Sequence, residues 1–440
     1  MPQGSNNTKP GDYKLQKLTL TSLVNNTGFD IKKIFKHIEI FEDMFSPNLT
    51  AKIYIEDGVN LPEILPITGQ ETIELVFKTD IEQISETTLI FRVYKLEDLE
   101  IYESGKTQSY VLHLISEGGY YNFSQRCGYA VSGSVSGMVS NIFTRHFSET
   151  VWTKKLQIEN TKDNYSFVLP ATYSPFKAIS WLATKAYSLT VTDYMPFFFY
   201  ETLDGHCFKS LAHIIEEGSR DILRYHFTTR NPNPTRENIR STTILPPEYH
   251  RIQDVHEAKR FDMAENIMEG TVSSSLLVHD IMRKQLRQTD FLEEMVFNDK
   301  KKLGKGRHFR SADLPAENML KRGASLHYSA VTPYTVYSKA NPIIDNMQIE
   351  TTLLERNYHI NTMTTQKIII EIFGDNRKRV GQVITVFVPK ISADGHSDVA
   401  QGDRADENLS GDFLITSIKH TLSTLYSCKL ELSRNCMGVI

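Results

Sequence analysis

The residues that could perform chemistry lie closest together in PFFFYETLDGHCFKSL, residues 196–211. This stretch contains two carboxylates, an imidazole and a thiol: Glu201, Asp204, His206 and Cys207. A thiol beside an imidazole can serve as a nucleophile activated by a base. The Asp-Gly dipeptide that begins at Asp204 is, however, a favoured hairpin turn, and neighbouring strand residues point to opposite faces. We therefore expect a structural hairpin with a small buried cysteine, in which His206 and Cys207 do not face one substrate.

The other motifs that were tested also favour structure over catalysis. SGSVSG at 132–137 lacks the central serine of a GxSxG nucleophile elbow and instead predicts a helix start with Ser134 as N-cap. The sequence contains neither the GxxxxGK[ST] phosphate loop nor the HExxH zinc motif. We predict no catalytic residue, no cofactor and no metal ligand, and we expect that the protein is not an enzyme.

Two charged loops leave alternatives open. The loop at 392–407 is rich in acidic side chains that could bind Ca²⁺, although their spacing does not match an EF-hand: Asp394, Asp398, Asp403, Asp406 and Glu407. The run from Lys300 to Arg310 is basic and could contact DNA phosphates. For the first loop we favour a solvated polar loop, and for the second a solvated loop or one that meets an acidic partner.

The composition is that of a soluble globular protein. The 440 residues are 40% hydrophobic and 23% charged, with a net charge of −4, which argues against nucleic-acid binding over the whole surface. No apolar run reaches the ~18 residues of a membrane span, and the polar N-terminus lacks a signal peptide. The four cysteines are scattered, which indicates a reducing cytoplasm rather than a disulfide framework.

Hydrophobic periodicity divides the chain. Strict alternation in NLTAKIYIED, TIELVFK, LIFRVYKLEDL and SYVLHLIS predicts an antiparallel barrel or sandwich over 15–118. Helical spacing in SVSGMVSNIFTRHF and SPFKAISWLATKAYS, with Pro175 in a first turn, predicts an α+β domain with a linker over 119–247. The linker is the proline-rich stretch 231–247, and a helix that stops at Gly270 follows it.

The C-terminal part contains strands again and a weak internal repeat. GQETIELVF begins at Gly69 and GQVITVFVP at Gly381, and each is followed by two further predicted strands. Similar spacing of these strands indicates that one β unit occurs twice. Residues 343–357 are predicted to be helical.

Several stretches resemble central baseplate hub proteins of contractile-tailed phages. Residues 38–77, IEIFEDMFSPNLTAKIYIEDGVNLPEILPITGQETIELVF, resemble their N-terminal barrel, and SPFKAISWLATKA with FFFYETLDGHCFKSL resembles their α+β domain. GTVSSSLLVHD, IIIEIFGDNRKRVGQVITVFVP and LSGDFLITSIKHT resemble their second barrel. The resemblance spans most of the chain and keeps its order. Late control protein D and the N-terminal module of VgrG spikes are similar to the same family.

The resemblance implies a β-rich α+β fold with two similar antiparallel tube-type barrels, an α+β domain and an inserted domain. It places the first barrel at 15–118, the α+β domain and linker at 119–247, the second barrel at 248–292 with 350–440, and the inserted domain at 293–349. It further implies a homotrimer whose six barrels dock on a hexameric tail tube, while the other end meets a trimeric spike.

The implied partners are the tail tube protein, a separate spike protein and other baseplate proteins. The implied channel could bring transient contact with DNA or the tape measure protein. The location is the tail baseplate of the virion, after assembly in the host cytoplasm. Because the chain ends soon after its last predicted strand, we expect the spike to be a separate polypeptide. The alternatives are a tail-associated peptidoglycan hydrolase, which would need a cleft with paired carboxylates, and another β-rich ring or adapter protein of the tail.

Overall fold

The computed structural model describes most of the chain. The described residues are 10–22, 28–65, 67–79, 86–102, 106–147, 155–162, 164–191, 196–225, 250–280, 284–297, 302–304, 306, 326–331, 349–363, 365–390, 405–406 and 408–436.

The N-terminal part is a six-stranded barrel-like sheet with one short additional strand. Its elements are β1 (Tyr13–Thr21), β2 (Gly28–Asp30), β3 (Phe35–Asp43), β4 (Thr50–Asp57), α1 (Leu61–Ile64), β5 (Thr72–Thr79), β6 (Thr87–Ile101) and β7 (Gln108–Ser116). The strands pair in the order β2-β1-β5-β6-β7-β4-β3, and every pair is antiparallel. Alternate residues such as Ile38, Ile53 and Leu112 are fully buried in one shared core, as the sequence alternation predicts. We call this unit the first barrel.

An α+β unit follows. It comprises α2 (Glu117–Ser124), β8 (Ala130–Gly133), α3 (Val135–Phe147), β9 (Lys155–Ile158), β10 (Tyr165–Val168), α4 (Pro175–Ala183), β11 (Phe197–Thr202), β12 (Gly205–Ser210) and α5 (Leu211–Glu217). Pro175 occupies the first turn of α4, as predicted. The apolar faces of α3 and α4 and the strand β11 share a second core, which contains Met138, Ile179 and Phe208.

The C-terminal strands form a closed six-stranded barrel. The strands are β13 (Ser219–Tyr225), β14 (Arg251–Lys259), β18 (Gln366–Phe373), β19 (Val383–Phe387), β20 (Gly411–Leu422) and β21 (Tyr426–Arg434). They pair in the order β13-β14-β18-β21-β20-β19, and β19 closes the ring by pairing with β13. This second barrel confirms the predicted fold class. It is not wholly antiparallel, however, because β13 runs parallel to both of its neighbours.

Several elements lie between β14 and β18 in the chain. They are α6 (Met263–Met268), β15 (Ser273–Asp280), β16 (Gln285–Leu292), α7 (Glu293–Val296), β17 (Leu326–Val331) and α8 (Ile349–Met363). β15, β16 and β17 form their own three-stranded sheet, against which α8 packs with Leu354 and Tyr358. The sequence predicted both hairpin strands but assigned residues up to 292 to the second barrel. In the structure β15 and β16 pair within this separate sheet, and β13, which falls in the predicted α+β range, pairs in the second barrel.

The two barrels repeat one strand order. β5, β6, β7, β4 and β3 of the first barrel correspond to β19, β20, β21, β18 and β14 of the second. The backbone irregularities correspond as well: β6 and β20 each have a bulge before Lys95 and Ser417, and β3 and β14 each have one before His37 and Asp254. The internal repeat that the sequence indicated is therefore present as a duplicated five-strand unit. The sixth strand of each barrel differs in direction, since β1 is antiparallel to β5 whereas β13 is parallel to β19.

The barrels are joined edge to edge. One end of β20, Gly411 to Leu414, pairs with β19, and the other end, Ser417 to Leu422, pairs with β3 of the first barrel. All these strands therefore belong to one thirteen-stranded sheet.

Candidate functional site

The candidate residues of the opening stretch lie on the hairpin β11–β12. Glu201 stands directly opposite His206 in the ladder, which confirms the predicted hairpin. The turn is one residue earlier than predicted, because Thr202 pairs with Gly205 and the loop is Leu203–Asp204. Gly205 has a φ of +139° and lies against β9, where an added Cβ would come within 2.3 Å of the Lys155 carbonyl oxygen. The glycine is thus required by the close parallel pairing of β9 with β12.

Glu201 is a buried hydrogen-bond acceptor. Its Oε2 atom accepts from the Leu49 backbone N–H at 2.8 Å and from the Ser116 hydroxyl at 2.5 Å. Both donors belong to the first barrel or its margins, and the Glu201 side chain has no solvent exposure. This carboxylate therefore attaches the hairpin to the first barrel.

His206 and Cys207 are packed in separate environments. The His206 ring lies 5.1–5.3 Å, centroid to centroid, from Phe143, Phe176 and Phe199. Cys207 belongs to the barrel core instead, and burial raises the pKa of its thiol to about 11. A thiol with that pKa stays protonated near neutral pH and is a poor nucleophile.

The tip of the hairpin contacts both barrels. The Asp204 carboxylate accepts two hydrogen bonds of 2.7 Å from Arg379, in the loop between β18 and β19. Glu42 of β3 accepts from the Leu203 N–H at 3.2 Å through Oε1 and from the Val380 N–H at 3.1 Å through Oε2. We call these five residues the tip junction. It bridges the first barrel, the α+β unit and the second barrel with charge-assisted hydrogen bonds.

A buried imidazole extends the tip junction into the second barrel. His420 Nε2 lies 3.5 Å from Glu42 Oε1, and its Nδ1 lies 2.8 Å from the Tyr426 hydroxyl. Burial opposes protonation of His420, but its neighbours Cys428 and Glu42 outweigh it and raise the pKa of the imidazole to about 9. The imidazole lies against Glu42 across the seam between β20 and β3.

A second ionic cluster fixes the loop between β18 and β19. Lys378 pairs with Asp221 of β13, and His250 Nδ1 lies 3.0 Å from the same carboxylate. Arg377 binds Asp375 through both carboxylate oxygens, at 2.9 and 2.8 Å. Burial acts to raise the pKa of Asp221, but hydrogen bonds from His250 and Lys378 and the charge of Lys378 hold it well below its usual value. The cluster thus couples β13, the start of β14 and the loop that carries Arg379.

Sequence reasoning missed Glu42 and His420. Each continues a run of inward-facing apolar residues: Glu42 follows Ile38 and Ile40, and His420 follows Ile418. A polar residue in the apolar phase of a strand was the available signal. Their mutual contact could not be inferred, because it depends on the pairing of β20 with β3.

The remaining predicted sites fall into two groups. Ser134 is the N-cap of α3, because its Oγ atom accepts from the Gly137 N–H at 3.2 Å. Most of the acidic loop 392–407 and of the basic run 300–310 lies outside the described residues.

Within the described ranges, no group of three or more His, Cys, Asp or Glu side chains could hold a metal ion. No helix in the part of the chain that the structure covers is long and apolar enough to cross a membrane.

The fold is similar to solved structures of tail proteins. The tail protein from Neisseria meningitidis MC58 matches with a TM-score of 0.51 and 9% identity over 96% of each chain. The 43 kDa tail protein of prophage MuSo2 from Shewanella oneidensis matches with a TM-score of 0.54 and 8% identity, over 95% of this chain and 98% of that one. The chain has a tail-protein fold. At the level of fold this confirms the resemblance found in the sequence, although neither a protein-family model nor a curated protein matches it.

The similarity in fold extends to all three units that the tip junction joins. Both matches extend over nearly the whole chain, so they include the two barrels as well as the α+β unit. From the geometry described above, the candidate site is the tip junction and the strand pairing of β20 with β3, where the three units meet.

Proposed function

We propose that the chain is the structural hub of a phage-type tail baseplate and acts as a homotrimer. The observation that carries this proposal is the duplicated barrel. One chain presents two units with the same five-strand order, already joined side by side through β20 and β3. Three such chains in a ring would present six similar units.

The symmetry of that ring gives the second barrel in each chain a function. Cyclic assembly requires each subunit to meet the next by the same contact. With two similar barrels per chain, a threefold ring has approximate sixfold symmetry at the barrel level and true threefold symmetry elsewhere. One end then suits a hexameric tail tube and the other a trimeric spike.

The same proposal defines the partners, domains and location. The partners are a second and third copy of the chain, the tail tube protein, the spike protein and other baseplate proteins, and the enclosed channel would pass DNA or the tape measure protein. The α+β unit and the insertion between β14 and β18 would lie as separate domains beside the ring. The protein would act in the tail baseplate of the virion after assembly in the host cytoplasm.

A non-enzymatic role is supported by the use made of the chemically capable residues. Glu201 accepts hydrogen bonds from the first barrel, Asp204 binds Arg379, and the Cys207 thiol is buried. The two carboxylates thus join domains and the thiol is part of a core, which are structural roles.

Electron microscopy of the purified protein tests the proposal. We expect a ring with six similar lobes on one face and three on the other. A ring of six whole chains would instead indicate another tail ring protein, and digestion of peptidoglycan by the purified chain would indicate the hydrolase alternative.

A further inference from the structure

The pairing of β20 with β3 provides a template for a second contact. The outer half of β20 is paired on both sides, with β21 on one edge and β3 on the other. Its counterpart, the outer half of β6 from Lys95 to Ile101, pairs with β7 alone among the described strands. The first barrel therefore has an open edge where the second barrel has a partner.

Equivalent residues of β20 and β6 differ in burial, as expected if the outer half of β6 lacks a second partner strand. Leu422 of β20 is opposite Tyr426 of β21, and Ile101 of β6 is opposite Gln108 at the matching position of β7. Leu422 is 0% exposed, whereas Ile101 is 68% exposed and its neighbour Leu99 is 48% exposed. Exposed apolar side chains on an open strand edge indicate a surface that another chain covers.

The counterpart of β3 also has an open edge. β14 corresponds to β3, and it pairs along its length with β18. On its other side β14 pairs with β13 only at Arg251 and Ile252. From residue 253 onward, β14 has no second partner among the described strands.

Because β6 and β20 have a bulge at equivalent positions, and β3 and β14 do as well, each residue pair of the β20–β3 contact has an equivalent pair in a β6–β14 contact. The pair Leu422 and Ile38 becomes Ile101 and Val255, and the pair Thr421 and Glu39 becomes Glu100 and His256. The pair Lys419 and Phe41 becomes Glu97 and Lys259 once a further bulge in each strand, which the template lacks, is counted: one lies between Glu97 and Glu100 and one between Glu257 and Lys259.

The transferred register brings opposite charges together. In the template, Lys419 of β20 forms an ion pair with Glu39 of β3. At the equivalent positions Glu97 replaces the lysine and His256 replaces the glutamate, while Lys259 takes the position of Phe41 opposite Glu97. Within the chain Glu97 pairs with Lys95 and His113, and Lys259 pairs with Glu265. Opposite charges across a strand pair favour the correct partner, and like charges disfavour a wrong one. With Glu97 in place of the lysine, β6 would face like charges if it paired with β3 of another copy.

We infer that the outer edge of β6 in one copy pairs antiparallel with the edge of β14 in the next copy, in the register that places Glu97 opposite Lys259. This inference rests on the proposed function, since it specifies the contact that closes the ring. The contact is heterologous, because each copy contributes a different edge, and it repeats around the ring. It adds one strand pair to a sheet edge, as in β-strand addition between proteins.

Cysteine cross-linking tests the register directly. Glu100 and His256 are both exposed, and the four natural cysteines are buried. The double variant Glu100→Cys with His256→Cys should form disulfide-linked dimers and trimers under mild oxidation, whereas neither single variant should. Cross-linking of a single variant would reveal a like-with-like contact and would overturn the inference.

A charge exchange tests specificity in chains that fold normally. Glu97→Lys and Lys259→Glu should each weaken self-association about tenfold, and the double variant should recover most of that loss. The matched control exchanges Lys17 and Glu74, an exposed ion pair between β1 and β5 of the same barrel. Its single variants should associate like the wild-type chain.

The outcomes separate the inference from the proposed function. If the wild-type chain forms trimers but the double cysteine variant does not cross-link, the edge pairing is wrong and the hub proposal stands. If the wild-type chain forms no oligomer, either alone or with tube and spike proteins, both are wrong.

Discussion

At the scale of single residues, the buried carboxylates have an architectural role. Glu42 and Glu201 are both fully buried, and each accepts hydrogen bonds from two different segments of the chain. A buried donor that loses its acceptor costs about 1–3 kcal/mol. Removing one carboxylate therefore leaves two unsatisfied donors at a junction between domains.

We predict that Glu201→Leu lowers the stability of the junction by about 2–5 kcal/mol, because the Leu49 N–H and the Ser116 hydroxyl lose their acceptor. Glu201→Gln keeps an acceptor oxygen and should cost less. The measurement is the midpoint of thermal unfolding, with Glu74→Gln as a control at a partly exposed carboxylate of β5, outside the junction. Equal midpoints for the Leu and Gln variants would contradict the hydrogen-bonding role.

The His420–Glu42 pair predicts a dependence of stability on pH. The pKa of His420 is about 9 in the folded chain and about 6.5 in the unfolded chain. Because the folded value is higher, the stabilisation is complete below pH ~6.5 and is lost as the pH rises through about 9.

We therefore expect the wild-type unfolding midpoint to fall between pH 7 and pH 10 more steeply than that of His420→Gln, which cannot be protonated in this range. Unfolding scans of both chains across that range check the prediction. Parallel curves would show that His420 is neutral throughout.

At the scale of elements, two equivalent glycines have different surroundings. Gly69 and Gly381 precede β5 and β19, with φ values of +87° and +80°. A Cβ on Gly381 would come within 2.1 Å of the Tyr200 hydroxyl oxygen, whereas at Gly69 the nearest atom is 3.7 Å away. The two positions share backbone strain and differ in packing against the hairpin strand β11.

This contrast provides a matched pair of variants. Gly69→Ala should cost about 1 kcal/mol from the positive φ alone. Gly381→Ala should cost about 1–3 kcal/mol more, because the Tyr200 side chain must move away from the added methyl group. Hydrogen exchange of the β11 amides is the measurement. Unchanged protection in Gly381→Ala would show that the hairpin docks independently of this loop.

Most strands could be predicted because one face of each is buried. Alternation in TAKIYIED and TIELVFK follows directly from that burial, and β4 and β5 lie where expected. The direction of β13 could not be predicted, since a short strand has the same pattern whether it runs parallel or antiparallel. The turn was misplaced by one residue because Gly205 serves the close approach of β9 rather than the turn itself.

The sheet assignment of β15 and β16 depends on a distant strand. Their alternation predicts a hairpin, and the hairpin is present. Its third strand, β17, begins more than thirty residues after β16 ends, at Leu326. Periodicity indicates which residues form strands, but it does not identify the sheet that a hairpin joins.

At the scale of the whole molecule, the duplicated barrel is the central feature. A short Gly-Gln match indicated a repeat, and the structure extends it to five corresponding strands and two corresponding bulges. The seam between the barrels needed the structure, because edge-to-edge pairing of β20 with β3 leaves no local pattern in the sequence. The candidate site was predictable only in part for the same reason. The sequence predicted the hairpin β11–β12, but it did not indicate that Glu42 and Arg379 contact its tip.

The most direct test of the account is the mass of the native protein by light scattering, alone and with tube and spike proteins. The duplicated barrel and its open edges predict a mass near three times 50.4 kDa, alone or once the spike protein is added. A chain that stays at 50.4 kDa under all these conditions would contradict the trimeric hub.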